Sequence, residues 1–242
     1  MIKTNKDLTK DYYLKHPAEL IHLEKENSDN FLYDFDSSYK VQLSNTISRD
    51  GLIAEYLFSD KDELAIYSTG SQKKNGVFSD TTNIKLSDGV LGNGLEFDGV
   101  GEYLDTKIIP TVPITISFWF KSKTYNATTR ILFGQQDNPA GNRFYLGYDG
   151  SGYLGLGLGS SAYADESGGY MLDLDWHHYV VTYNGSSANV YVDGILMFTK
   201  SNSTYSPTKY LYFGALNTST TLTSFCYGYF NLIRIYNRVL SL

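Results

Sequence analysis

The chain has 242 residues and a net charge of −6, so it carries no basic face for a phosphate backbone, and nucleic acid is excluded as a partner. With 42% hydrophobic and 19% charged residues it is globular, and its 22 Tyr and 13 Phe favour strands over helices. A single cysteine, Cys226, excludes an intrachain disulfide, and no apolar run approaches the roughly 18 residues of a membrane span.

Residues 1–50 read differently from the rest and are expected to form an arm. Pro17 to Lys25 has the pattern of a short helix, with Pro in its first turn and Glu24, Lys25 and Glu26 ending it in solvent. Phe31, Tyr33 and Phe35, then Tyr39, Val41 and Leu43, alternate with polar neighbours, which is the strand period. The charged start (Lys3, Lys6, Asp7, Lys10, Asp11) lacks the apolar core of a signal peptide, so folding in a reducing cytosol is expected. Lys outnumbers Arg 15 to 5 and Asn is abundant, a composition met in AT-rich genomes such as those of many phages.

From Gly51 the pattern is all-β. The first strand is expected over 51–58, and 59–89 is polar and turn-rich. Further strands are expected over 94–98, 102–106, 114–121, 130–134, 143–148 and 153–158. After a loop, others are expected over 176–183, 189–192, 195–200, 209–215 and 226–237. So many short strands suit a two-sheet jelly roll better than an immunoglobulin-like sandwich. Asp193-Gly194 between two apolar strands is the signal of a type I′ hairpin, whose two turn residues both need positive φ. Gly155, Gly157 and Gly159 alternate with Leu154, Leu156 and Leu158, so one face of that strand has no side chains. Close sheet contact or a bulge explains this, and room for a ligand is the other reading. Cys226, between Phe225 and Tyr227, reads as a small buried hydrophobe.

Trp176-His177-His178-Tyr179-Val180-Val181-Thr182-Tyr183-Asn184-Gly185, followed by Val190-Tyr191-Val192-Asp193-Gly194, resembles the hallmark of concanavalin A-like, laminin-G-like sandwich domains. The last strand with Tyr236-Asn237-Arg238-Val239-Leu240-Ser241 and the Phe97-Asp98-Gly99 turn with Tyr103-Leu104 are similar to the same family. The resemblance runs from about Gly51 to the C-terminus. It implies an all-β, two-sheet antiparallel jelly-roll sandwich over 51–242, preceded by the helical and extended arm of 1–50. Family members often carry an acidic pair in the last strand, where this chain has Asn231 and Leu232. Some relatives hold calcium at the sandwich edge with such carboxylates. The resemblance therefore implies Asp98, Glu102 and Asn231 as the residues that would meet calcium here, with Asn231 lacking the charge a hard cation favours.

Laminarinase-type relatives carry Glu-x-Asp-x-x-Glu on one strand, and the sandwich region has no such run. Glu24, Glu26 and Asp29 show a similar spacing by chance, in the arm. His177 and His178 are adjacent on a strand, face opposite sides and cannot share a metal; packing and hydrogen bonding beside Trp176 is their expected role. Two loops stand out as ligand sites. Gln135, Gln136, Asp137, Asn138, Asn142 and Arg143 bring planar hydrogen-bonding groups, and Tyr163, Asp165, Glu166 and Tyr170 bring carboxylates between aromatic rings. These are groups that recognise sugars. The reading is a non-enzymatic recognition or attachment module. It would sit on a virion surface as a phage capsid-decorating or fibre-like component, with residues 1–50 docked on other virion proteins and the rim facing host glycans. A homo-oligomer is compatible with that setting. A bacterial-surface lectin, extracellular or on the cell surface, and an atypical glycoside hydrolase or lyase are the alternatives.

Overall fold

The computed structural model describes residues 49–56, 58, 76–79, 85–90, 93–124, 129–137, 142–165, 172–201, 205–218 and 221–241. Of the expected arm of 1–50, residues 1–48 lie outside them. Among the described residues the chain is all β, without a helix. The strands in chain order are β1 (Leu52–Tyr56), β2 (Val77–Phe78), β3 (Lys85–Asp88), β4 (Asn93–Asp98), β5 (Leu104–Asp105) and β6 (Ile114–Ser122). Next come β7 (Arg130–Asp137), β8 (Asn142–Tyr148), β9 (Leu154–Gly159), β10 (Ser161–Asp165), β11 (His177–Tyr183) and β12 (Ser187–Val192). Then follow β13 (Ile195–Ser201), β14 (Tyr212–Phe213), β15 (Leu216–Asn217), β16 (Leu222–Thr223) and β17 (Tyr227–Tyr236).

Two sheets stack as the expected sandwich. One has eight strands in the order β13-β12-β11-β6-β17-β4-β3, with β1 added to β17. The other has nine, in the order β10-β9-β8-β7-β14-β5-β2, with β15 beside β7 and β16 paired to β15. Alternation sets which residues meet between the layers. Along β6, Ile114, Ile116, Phe118 and Phe120 point inward, and the same holds for Tyr179, Val181 and Tyr183 on β11 and for Phe230, Ile233 and Ile235 on β17. Phe133, Phe144, Leu146, Leu156, Leu158 and Phe213 answer them from the nine-stranded sheet. Two polar ties join the layers inside this core. The Tyr148 and Tyr179 hydroxyls lie 2.5 Å apart, and the buried Lys200 donates from Nζ to the Leu156 carbonyl at 2.8 Å.

The Asp193-Gly194 turn forms as the sequence requires, with φ of 50° and 78° and with Val192 paired to Ile195. The glycine face of β9 is not an open platform. All of β9 is buried, and Tyr145, opposite Gly157, lays its ring where a methyl group on that glycine would sit. Cys226 is fully buried and burial pushes its thiol pKa up, so it is a core residue and not a nucleophile. Three expectations need correction. Residues 161–165, read as loop, form the edge strand β10 by backbone pairing with β9. The polar stretch 59–89 contains β2 and β3, and the strand expected over 209–215 is reduced to β14. Two-residue strands are too short to show a period.

Candidate functional site

The face of the eight-stranded sheet that points away from the core carries a distinctive set of side chains. Directly paired residues of neighbouring strands share a face, so the register defines rows. One row runs Lys121, Tyr229, Glu96, Lys85 across β6, β17, β4 and β3. The next runs His178, Trp119, Asn231 across β11, β6 and β17. A third runs Tyr191, Val180, Ser117, Arg234, Glu55 from β12 to β1. Thr115, Ser117, Thr182 and Asn231 are short and nearly inaccessible, while Trp119, Tyr191 and Tyr229 keep partial exposure. Short polar side chains thus make a floor, and aromatic rings stand above it.

Trp176, just before β11, reaches over this face. Its ring centroid is 6.3 Å from that of Tyr229, and its edge packs over Gly94. Lys123 extends along the same face, with Nζ 4.6 Å from the Tyr227 ring centroid, 5.5 Å from that of Tyr229 and 2.5 Å from Glu96. Trp119 packs on His178 at 5.1 Å. The floor is held by internal bonds. Ser117 Oγ lies 2.8 Å from His178 Nε2, Asn231 donates to the Asn93 carbonyl at 2.7 Å, and Thr115 donates to the Arg238 carbonyl at 2.7 Å. Glu55 is buried and accepts from Arg234 Nε at 2.8 Å, with Arg49 at 3.1 Å. Such bonds fix the rings above them, the preorganisation that a binding face needs.

The two histidines do different work. His178 has its pKa lowered to about 4, by burial first and then by the Arg234 charge, so it is a neutral ring at pH 7. His177 points to the other side of the strand. Its Nδ1 lies 2.6 Å from Asp193 Oδ2, and its Nε2 lies 2.8 Å from Asp173 Oδ2. Both ring nitrogens face carboxylates, and the hydrogen bond to Asp193 leads the causes that raise the His177 pKa. Asp193 Oδ1 also accepts the His178 backbone N–H at 2.8 Å, so the clamp ties the Asp-Gly turn to the segment carrying Trp176.

The residues singled out from sequence are placed as follows. Gln135 points into the core, fully buried, and its Nε2 donates to the Asn142 carbonyl at 3.4 Å. Asp137 accepts from Asn142 Nδ2 at 3.1 Å and from the Thr208 hydroxyl, and Lys209 lies 3.7 Å away. Asn142 also accepts from the Ser206 backbone N–H at 2.8 Å. These groups staple the β7–β8 hairpin to the segment 205–209. Gln136 and Arg143 pair across the hairpin on the outer face of the nine-stranded sheet, both partly exposed. Tyr163 and Asp165 fall on β10, and Asn138, Glu166 and Tyr170 lie outside the described residues. Asp165 pairs with Gly155, which pairs with Gly147, at the end of the strands away from the Asp137–Asn142 pair. The two predicted loops are therefore not brought together.

The set that would meet calcium is not assembled either. Glu102 Oε2 accepts the Asp98 backbone N–H at 2.5 Å, and Asp98 Oδ1 accepts the Val100 N–H at 2.8 Å, so both brace one turn. Asp98 pairs with Tyr227, and Asn231 lies four residues along β17, about 13 Å away at strand rise. Among the described residues no group of three or more His, Cys, Asp or Glu is placed to hold a metal ion. Calcium wants about six to eight converging oxygens, and these residues do not fit it.

What the sequence reading missed is the face itself. Its signal was present in β6, where Thr115, Ser117, Trp119 and Lys121 alternate with the core residues.

Comparison with known proteins bears on the fold. The family model described as Concanavalin A-like lectin/glucanases superfamily matches residues 97–242. A search of curated proteins gave no match. Among solved structures, domain 4 of AbnA, a GH43 extracellular arabinanase from Geobacillus stearothermophilus solved with arabinotriose, superposes with a TM-score of 0.60 at 19% identity, over 78% of this chain and 94% of that one. The receptor binding domain of botulinum neurotoxin D gives a TM-score of 0.57 at 16% identity, over 80% of this chain and 50% of that one. The binding domain of botulinum neurotoxin DC, solved with rat synaptotagmin II, gives 0.58 at 13% identity, again over 80% of this chain and 50% of that one. This chain thus spans about half the length of the toxin domains. At such identities the likeness concerns the fold. With its two stacked sheets, its Trp176-to-Gly194 hairpin and a family match over more than half its length, this chain belongs to the concanavalin A-like lectin/glucanases superfamily.

Proposed function

We propose that this chain is a non-enzymatic recognition module that binds carbohydrate on the outer face of its eight-stranded sheet. The observation that carries the reading is the placing of Trp119, Trp176 and Tyr229 above a floor of fixed polar groups. A pyranose ring has an apolar C–H face that stacks on an aromatic ring and a hydroxyl edge that needs planar donors and acceptors. The carboxylates among the rings of this face are ion-paired, Glu96 with Lys123 and Glu55 with Arg234 and Arg49, while Asp98 at its margin caps its own turn. That arrangement orients side chains and does not resemble the free acid–nucleophile pair of a glycosidase. The arabinotriose bound to the AbnA domain and the N-acetylneuraminic acid bound to the neurotoxin D domain are in keeping with this reading.

On a glycan array followed by calorimetry with the best ligand, Trp176→Ala and Tyr229→Ala should each lower affinity about tenfold or more, the effect of losing one stacking partner. Gln136→Ala and Arg143→Ala, on the other sheet, should leave it unchanged. The reverse pattern would move the site to the nine-stranded sheet.

The setting we propose is a virion surface, with residues 1–50 as the anchor. The alternating apolar residues Phe31 to Leu43 and the Lys-rich, Arg-poor composition support it. Deleting residues 1–45 should leave a folded, sugar-binding sandwich that no longer incorporates into particles. Normal incorporation of the truncated chain would remove the anchoring role.

A further inference from the structure

We infer that the saccharide bound on the eight-stranded face is anionic, bearing carboxylate or sulfate groups. This rests on the carbohydrate reading above and adds the chemical class. The chain as a whole is acidic, with 26 Asp and Glu against 20 Lys and Arg. The outer face of the eight-stranded sheet has the opposite balance. Lys85, Lys121, Lys123, Arg49 and Arg234 stand there against Glu55, Glu96 and Asp98.

The pairing of these charges matters more than their number. Glu96 meets Lys123, and Glu55 meets both Arg234 and Arg49, so the carboxylates are neutralised locally. Asp98 stands at the margin of the face and caps its own turn. Lys121 and Lys85 carry no ion pair among the described residues and end the row that has Tyr229 and Glu96 between them. That row crosses three strand spacings, about 14 Å, enough for a short oligosaccharide with charges at both ends. A lysine is a point charge that suits carboxylate and sulfate alike. Charges this close to the ligand act within the Debye length of about 10 Å at 0.1 M salt, so the local excess outweighs the distant net charge.

The test is calorimetry on the full chain with oligogalacturonate, its methyl ester, a sulfated oligosaccharide and a neutral xylo-oligosaccharide. At least one anionic probe should bind ten times or more tightly than both uncharged ones. Raising salt from 50 to 500 mM should weaken it, and a Lys85→Gln/Lys121→Gln variant with an unchanged melting temperature should lose about tenfold. The carboxylated and sulfated arms tell the two sources of charge apart. Equal binding of charged and uncharged sugars, still abolished by Trp176→Ala, would overturn the anionic class and leave the carbohydrate reading standing. Failure of every probe, or binding that ignores Trp176 and Tyr229, would sink the carbohydrate reading itself.

Discussion

A Phe118→Ala variant is expected to unfold about 4 kcal/mol more easily than the natural chain, the largest loss from any one truncation in this core. Phe118 is fully buried at the centre of β6. Its ring stacks on Tyr179 at 5.4 Å and lies 5.8 Å from Phe230, both in its own sheet. It also meets Phe213 edge-on at 5.5 Å and Phe133 at 6.0 Å from the opposite sheet. Truncation removes a large apolar surface and leaves a cavity that rigid neighbouring strands cannot close. Each aromatic pair adds about 0.5–1.5 kcal/mol beyond its burial. In urea, the midpoint should fall with the slope unchanged, because the native state stays compact. A loss below about 1.5 kcal/mol would mean that the two sheets do not meet at this ring.

The same residue lies in a segment whose sidedness its sequence alone discloses. Alternation along 114–121 and the Asp-Gly signal at 193–194 fix sidedness by simple geometry, and β6, β11, β12 and β13 stand where they were expected. The period also separates Trp119 from Phe118, but only pairing tells what Trp119 stands beside. Trp119, Trp176 and Tyr229 are spread over more than a hundred residues; the β6-β17 register puts Trp119 and Tyr229 on one face, and Trp176 meets Tyr229 there. Local reading favoured instead the dense amides of 135–143, where sequence proximity suggested a surface cluster. Those groups bond with each other and with 205–209, because a hairpin at a sheet end must satisfy its own polar atoms. Strand β10 was hidden for another reason. Its Ser-Ala-Tyr-Ala-Asp sequence has no β-branched residue and a single aromatic one, so it carries little strand signal, and an edge strand needs only backbone pairing.

Acid should destabilise the sandwich through His178. Its folded pKa of about 4 lies below the ordinary value of 6.5, so the neutral ring is the one that fits beside Trp119, Ser117 and Arg234. The stability linked to this depressed pKa is complete above about pH 6.5. It is lost as pH falls from there through about 4, because the unfolded chain takes up the proton first. The loss amounts to roughly 3 kcal/mol at most, from the shift at about 1.4 kcal/mol per unit. His177 works in the opposite sense. Its raised pKa adds stability that is present below about pH 6.5 and fades as pH rises through the folded value, when the proton shared with Asp193 and Asp173 departs. His177 sits at a more open site, its two carboxylate partners having 44% and 41% of their side chains exposed, so its share is screened and smaller. Unfolding free energies at pH 4, 5, 6 and 8 should therefore fall on the acid side in the natural chain. A His178→Gln variant, which keeps a neutral partner for Ser117, should flatten that fall. His177→Gln should instead cost more at pH 5 than at pH 8. Parallel curves for the natural chain and His178→Gln would show that acid acts elsewhere.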